Sequence, residues 1–180
     1  MTMPKKVLLN SKKIDIILNR LVCQLVENHK DFDNTVLIGL QPRGAFLIDK
    51  ILEKFNKDYP KINIKSGILD FTFFRDDFRR SEKTLSASST QINFSVENKN
   101  VVLIDDVLFT GRSIKAAMSS MDSYGRPNSI ELLVLIDRRY KREIPIEANY
   151  FGAKIDTFKG DRVNVVWGKN SKDNIIYIEN

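Results

Sequence analysis

Val101-Val102-Leu103-Ile104-Asp105-Asp106-Val107-Leu108-Phe109-Thr110-Gly111-Arg112-Ser113 decides how this chain is read. The run 101–104 is apolar and rich in β-branched residues, which suits a strand buried on both faces. Two adjacent carboxylates follow, then a turn at Thr110-Gly111, then a helix from about Ser113 with Ile114, Ala117, Met118 and Met121 on one face. That helix is expected to close near Tyr124-Gly125, with Gly125 as a left-handed cap. Backbone N–H groups from Thr110 through Ser113, with the positive end of the helix dipole, form a cradle for one phosphate. The hydroxyls of Thr110 and Ser113 add donors. Asp105 and Asp106 would repel that anion unless they engage vicinal hydroxyls or magnesium. A phosphate at one end and a diol at the other describe a 5-phosphoribosyl group. The chain has no G-x-G-x-x-G after a strand, no P-loop and no G-x-S-x-G elbow.

Outward from this stretch, apolar runs and helical patterns alternate. Ser11 is positioned to cap a helix carrying Ile14, Ile17, Leu18, Leu21, Val22 and Leu25, with Cys23 packed in it and His29 on the surface near its end. A buried strand is expected over 35–40. The break Gln41-Pro42-Arg43-Gly44 follows, and then a helix over 45–55. Residues 62–69 alternate as a second strand, 101–104 form the third and 130–136 the fourth, and short strands are expected around 163–167 and 175–178. The polar stretch 75–90, with Arg75, Asp76 and Asp77 at its start, reads as a mobile lid or binding loop. Strands alternating with helices imply an α/β fold with a doubly wound, mostly parallel sheet flanked by helices. Ligands of such sheets sit beyond the carboxyl ends of strands, where the loops after Leu40 and Ile104 lie.

The chain's 180 residues fit a single domain spanning 1–180. One cysteine and one histidine exclude an internal disulfide and a zinc site. Apolar runs fall short of a membrane span, and Met1 to Val7 is basic without a signal-peptide core, so a cytoplasmic protein with no membrane partner is expected. Lys+Arg 29 against Asp+Glu 23 gives a net charge of +6, which favours polyanionic partners without choosing among them.

Residues 101–113 resemble the phosphoribosyl-pyrophosphate binding motif of type I phosphoribosyltransferases. Leu69-Asp70-Phe71-Thr72-Phe73-Phe74-Arg75-Asp76-Asp77, Gly125-Arg126-Pro127, Val134-Leu135-Ile136-Asp137-Arg138, Arg142-Glu143-Ile144-Pro145-Ile146 and Ile176-Tyr177-Ile178-Glu179-Asn180 occur in order around it. Together they resemble the bifunctional pyrimidine operon attenuation proteins, the PyrR family, which are also uracil phosphoribosyltransferases. The resemblance runs from about Val7 to the end of the chain.

It implies transfer of phosphoribose from phosphoribosyl pyrophosphate to uracil, with magnesium, giving UMP and pyrophosphate. Asp105, Asp106 and Arg43 would be catalytic, with phosphoribose held by Asp105, Asp106, Val107, Leu108, Phe109, Thr110, Gly111, Arg112 and Ser113. Pyrophosphate would sit on Pro42, Arg43 and Gly44. The base would meet Asp137 and Arg138, and Arg75, Asp76 and Asp77 would belong to the lid. No metal site is fixed by side chains alone: magnesium would come with the donor, with Asp105 and Asp106 in reach. Purine enzymes carry an Asp at position 109, and Phe109 here favours a pyrimidine. Small transferases of this kind pair into dimers or tetramers.

In the family, regulation means binding a messenger leader in response to UMP. Arg20, Arg139, Tyr140, Lys141 and Arg142 are the candidates for RNA contact, an aromatic among cations. Two positions depart from the family: Pro42 removes a backbone donor, and Arg139-Tyr140 stands where relatives carry Gly-His. Two alternatives stay open, a nucleotide-sensing RNA binder with little catalysis and a purine phosphoribosyltransferase.

Overall fold

Parallel strands buried on both faces need helices above and below them, and the chain supplies both layers. A computed structural model describes residues 5–76, 88–158, 160–168 and 170–179. Its elements run β1 (Lys5–Leu9), α1 (Ser11–His29), β2 (Thr35–Leu40), α2 (Arg43–Asp58), β3 (Lys65–Leu69), β4 (Asn100–Leu108), α3 (Arg112–Met121), β5 (Ser129–Arg138), β6 (Tyr150–Ile155), β7 (Arg162–Val166) and β8 (Ile175–Glu179). Five strands form one sheet in the order β3-β2-β4-β5-β6, every pair parallel. α1 and α2 cover one face, where Val102 and Ile104 join Leu47, Ile51 and Leu21. α3 covers the other, where Val101 and Leu103 join Ile114, Ala117 and Met121. The doubly wound fold expected from the sequence is the one found.

The expected short C-terminal strands are β7 and β8. With β1 they make a separate antiparallel sheet in the order β1-β8-β7. Several local features differ from the sequence reading. Asn10, not Ser11, caps α1, its Oδ1 accepting from the Lys13 amide at 3.0 Å. α2 begins at Arg43, two residues before the expected start. Asp105 and Asp106 lie within β4 rather than after it, and α3 opens at Arg112. A 3-10 turn, Asp122–Tyr124, follows α3, and Gly125 then takes φ 126° and ψ 178°, an extended mirror-image conformation rather than a left-handed helical cap.

Cys23 is exposed on α1, 3.6 Å from the Tyr59 hydroxyl. His29, expected on the surface, has a side chain only 5% exposed. Its Nδ1 meets Thr35 Oγ1 at 3.1 Å, and its Nε2 meets Glu131 at 3.1 Å and the Tyr150 hydroxyl at 3.2 Å. Strand starts separated widely in sequence supply these partners, so a buried polar network forms that local pattern cannot show.

Candidate active site

β2 and β4 are neighbours, yet the chain leaves them in opposite directions. β2 leads through α2 to β3 on its far side, and β4 leads through α3 to β5 on the other. The two helices diverge onto opposite faces. A crevice therefore opens between the carboxyl ends of these strands, the place where ligands bind in open α/β sheets.

Gly44 brings the two walls together. A Cβ there would lie 2.2 Å from the Ile104 carbonyl oxygen, so the first turn of α2 packs directly on β4. From the sequence, Gly44 is expected to let a ligand approach; the backbone that comes close is β4's. Arg43 consequently stands beside Asp106, its Nη1 3.7 Å from Oδ2. Pro42, exposed, precedes α2 at the cap position without a side-chain cap bond.

Asp106 is 5% exposed, and its Oδ2 has no hydrogen-bond partner among the described residues. An orphaned buried carboxylate oxygen is costly unless a ligand completes it. Asp105 accepts the Asp106 amide at 2.9 Å. Burial, and then the charge of Asp106, push the Asp105 carboxyl well above the ordinary aspartate range. Burial pushes Asp106 up as well, against the pull of the Arg43 charge.

Beyond the carboxylates, Gly111 takes φ 89° and ψ −5°, a left-handed conformation that favours glycine, and turns the chain into α3. A cavity of about 300 Å³ opens here, lined by Asp105, Phe109, Thr110 and Ser113 among others, with Arg75 and Asp76 on its rim. Asp77 lies outside the described residues. The β5–β6 connection straps this turn. The amides of Glu143 and Ile144 both donate to the Thr110 carbonyl, at 2.9 and 3.0 Å. Arg142 donates to the Phe109 carbonyl and to Asp137, the latter at 2.5 Å. Arg112 pairs with Asp76 and, at 2.6 Å, with Glu143, so its side chain links the start of the 75–90 stretch to the β5–β6 connection.

The remaining sequence candidates fall in two groups. Asp137 and Arg138 end β5 beside the site, both buried. Arg20, Arg139 and Arg142 are committed to protein groups: Arg20 to the Phe151 and Gly152 carbonyls, Arg139 to Asp156 through two bonds of 2.7 and 2.8 Å, Arg142 as above. Tyr140 is 78% exposed and Lys141 is half-buried. A larger groove of about 600 Å³ between α1, α2 and the Ser171–Asp173 turn has neither an adjacent carboxylate pair nor a glycine turn.

The model of the phosphoribosyl transferase domain matches residues 5–169. The Bifunctional protein PyrR of Caldicellulosiruptor bescii is 38% identical over 174 residues, 97% of this chain and 94% of that one. That of Deinococcus radiodurans is 36% identical over 165 residues, 92% and 89% of the two chains. The chain belongs to the PyrR family of type I phosphoribosyltransferases. Solved structures agree on the fold. A hypoxanthine phosphoribosyltransferase from Staphylococcus aureus superposes with a TM-score of 0.66 at 24% identity, covering 87% of this chain and 80% of that one. The Trypanosoma cruzi enzyme in complex with IMP gives 0.65 at 17% identity, covering 87% and 78%. No helix among the described residues is long and apolar enough to cross a membrane.

Within the PyrR family fold, the residues that the sequence alone left unassigned are Glu143, Ile144 and Thr157. The first two hold the Thr110-Gly111 turn through backbone amides, for which sequence carries no signal. Thr157 is buried and grips Arg138.

Proposed function

We propose that this protein transfers the phosphoribosyl group of phosphoribosyl pyrophosphate to uracil, forming UMP and pyrophosphate. The observation that carries the reading is the adjacent Asp105-Asp106 pair: Asp105 lines the cavity at the Phe109–Ser113 turn, and buried Asp106, its Oδ2 without a hydrogen-bond partner among the described residues, lies 3.7 Å from Arg43. The 5-phosphate would rest on the amides of Thr110 to Ser113, and Asp105 and Asp106 would accept from the ribose hydroxyls. Arg43 would face the leaving pyrophosphate as a planar donor.

Uracil N1 forms the bond to the anomeric carbon as the bond to pyrophosphate breaks, and the N1 proton leaves to solvent. The developing positive charge on the sugar would lie near two carboxylates held in a low-dielectric site, where electrostatic stabilisation is strongest. Hard carboxylate oxygens such as the orphaned Asp106 Oδ2 suit magnesium, which when bound with the donor would neutralise pyrophosphate charge. Arg75 and Asp76 on the cavity rim would wall the donor from water. Phe109, apolar where purine enzymes carry an acid, supports a pyrimidine base.

The net charge and the bifunctional naming of its relatives support a second, regulatory role on a pyrimidine-operon messenger leader, responsive to UMP. Pairing of Arg20, Arg139 and Arg142 within the fold leaves Tyr140 and Lys141 as the outward part of the basic run. Assembly as a dimer or tetramer in the cytoplasm belongs to the same reading. The test is pyrophosphate release with magnesium, phosphoribosyl pyrophosphate and either uracil, hypoxanthine or guanine. Release with uracil alone is expected; release with a purine alone overturns the reading. A mobility shift of leader RNA that strengthens with UMP tests the regulatory half, and no shift at low salt overturns it.

A further inference from the structure

Arg138 is expected from the sequence to meet the base, yet its donors point elsewhere. Nε and Nη2 donate to Thr157 Oγ1 at 3.1 and 3.0 Å, and Nη2 also donates to the Asp161 carbonyl at 3.0 Å. The residue is 6% exposed. Its guanidinium carbon lies 3.8 Å from the centroid of the Phe109 ring, stacked over it. Phe109 itself lines the cavity beside Asp105 and Thr110. Its carbonyl is held separately by Arg142, which is anchored in turn on Asp137. One residue of the turn is thus fixed twice, by its ring through Arg138 and by its backbone through Arg142.

Cation–π packing fixes both the distance and the plane of an aromatic ring, and a guanidinium gripped by a hydroxyl cannot swing away. We propose that Thr157, Arg138 and Phe109 form a stack that sets the wall of the base site, making Thr157 and Arg138 positioning residues for a small, flat, uncharged pyrimidine that neither of them touches. This inference rests on the reading of the protein as a uracil transferase. It adds what that reading lacks, a reason why the ring at position 109 stays in one place and a role for the loop between β6 and β7. Loss of the grip would let the Phe109 ring move and loosen the base. The phosphate cradle would stay intact, because the Arg138 hydrogen bonds run to Thr157 and Asp161, away from Thr110, Gly111 and Ser113.

The experiment is steady-state kinetics of Thr157→Val and Thr157→Ser against the unaltered protein, with uracil and donor varied in turn. Valine keeps the shape and removes the acceptor; serine restores it. The expected result is a KM for uracil raised about tenfold in Thr157→Val, a KM for phosphoribosyl pyrophosphate within about twofold of the unaltered value, and recovery in Thr157→Ser. Arg138→Met keeps the length and loses the plane, is read the same way, and serves if Thr157→Val does not fold. An unchanged KM for uracil in either folded variant overturns the inference. So does a rise of both KM values together, which a general loosening of the fold would give. Absence of uracil turnover in the unaltered protein overturns the functional reading itself, and this inference with it, whereas normal turnover with indifferent variants removes the inference alone.

Discussion

The Arg43 guanidinium stands 3.7 Å from the Asp106 carboxylate, across the gap where the sheet's strand order reverses. Arg43 opens α2 and Asp106 lies near the end of β4, so the pair ties together the two walls of the crevice. Its charge favours ionised Asp106, against burial that favours the neutral acid. Replacing Arg43 with Ala removes that support. The acid limb of the pH–rate profile should move to higher pH, and kcat/KM for the donor should fall about thirtyfold, or about 2 kcal/mol, for the charge-assisted hydrogen bond that Arg43 would make to the donor's pyrophosphate. A profile that stays in place would show that Asp106 does not titrate in the reaction.

Asp106→Asn should separate activity from stability. Both carboxyls are raised above the ordinary value of 3.8 in the folded state. Their contribution to stability is therefore full below pH 3.8 and lost as pH rises through the folded-state values, so the ionised pair opposes folding at neutral pH. The variant should melt at the same temperature as the parent or higher, while transfer falls about a hundredfold. Calorimetry alongside the rate assay checks both halves.

Gly44→Ala places a methyl group against the Ile104 carbonyl, 2.2 Å away, with strand backbone that cannot yield. A loss of about 3 kcal/mol in denaturant unfolding is expected, as for an overpacked core site, with loss of activity as Arg43 moves off Asp106. Stability equal to the parent would contradict the packing described for α2 on β4.

Tyr150 works at the far end of the sheet. Its hydroxyl donates to Glu131 at 2.7 Å and receives a bond from Asn28 at 2.9 Å. Burial first, opposed by Asn28 and aided by Glu131, pushes it up to about 12 from 10.0. The neutral phenol is thus the form the fold prefers. Its stabilisation is full below pH 10 and is lost as pH rises toward about 12. Tyr150→Phe should cost about 1 kcal/mol at neutral pH, flatten the alkaline decline and leave kcat/KM unchanged. Denaturation curves across pH 8 to 12 measure it.

The sequence is most legible where burial is complete. Residues 36–40, 101–104 and 132–136 carry no polar side chain because both faces of those strands are covered, and such runs announce themselves. The Thr110-Gly111 turn is legible for a different reason: Gly111 takes the left-handed backbone that favours glycine, and two adjacent carboxylates precede it. β1 and β6 escape notice because each buries few of its residues, and Gly152 in β6 is there to clear the Leu135 carbonyl rather than to pattern a strand. His29 looks like a surface residue beside Asn28, Lys30 and Asp31, since its partners Thr35, Glu131 and Tyr150 come from three different strand starts. Arg138 stands out at the end of β5, but its hydrogen bonds to Thr157 are not legible there, because Thr157 lies nineteen residues on, across β6.

Formation of labelled UMP from uracil and phosphoribosyl pyrophosphate in the presence of magnesium, run side by side with the unaltered protein and Asp106→Asn, decides whether this chain is a uracil transferase. The unaltered protein should form UMP, and a folded Asp106→Asn about a hundredfold less. Equal rates from the two proteins, or no UMP from a folded protein that still binds UMP, would contradict that reading.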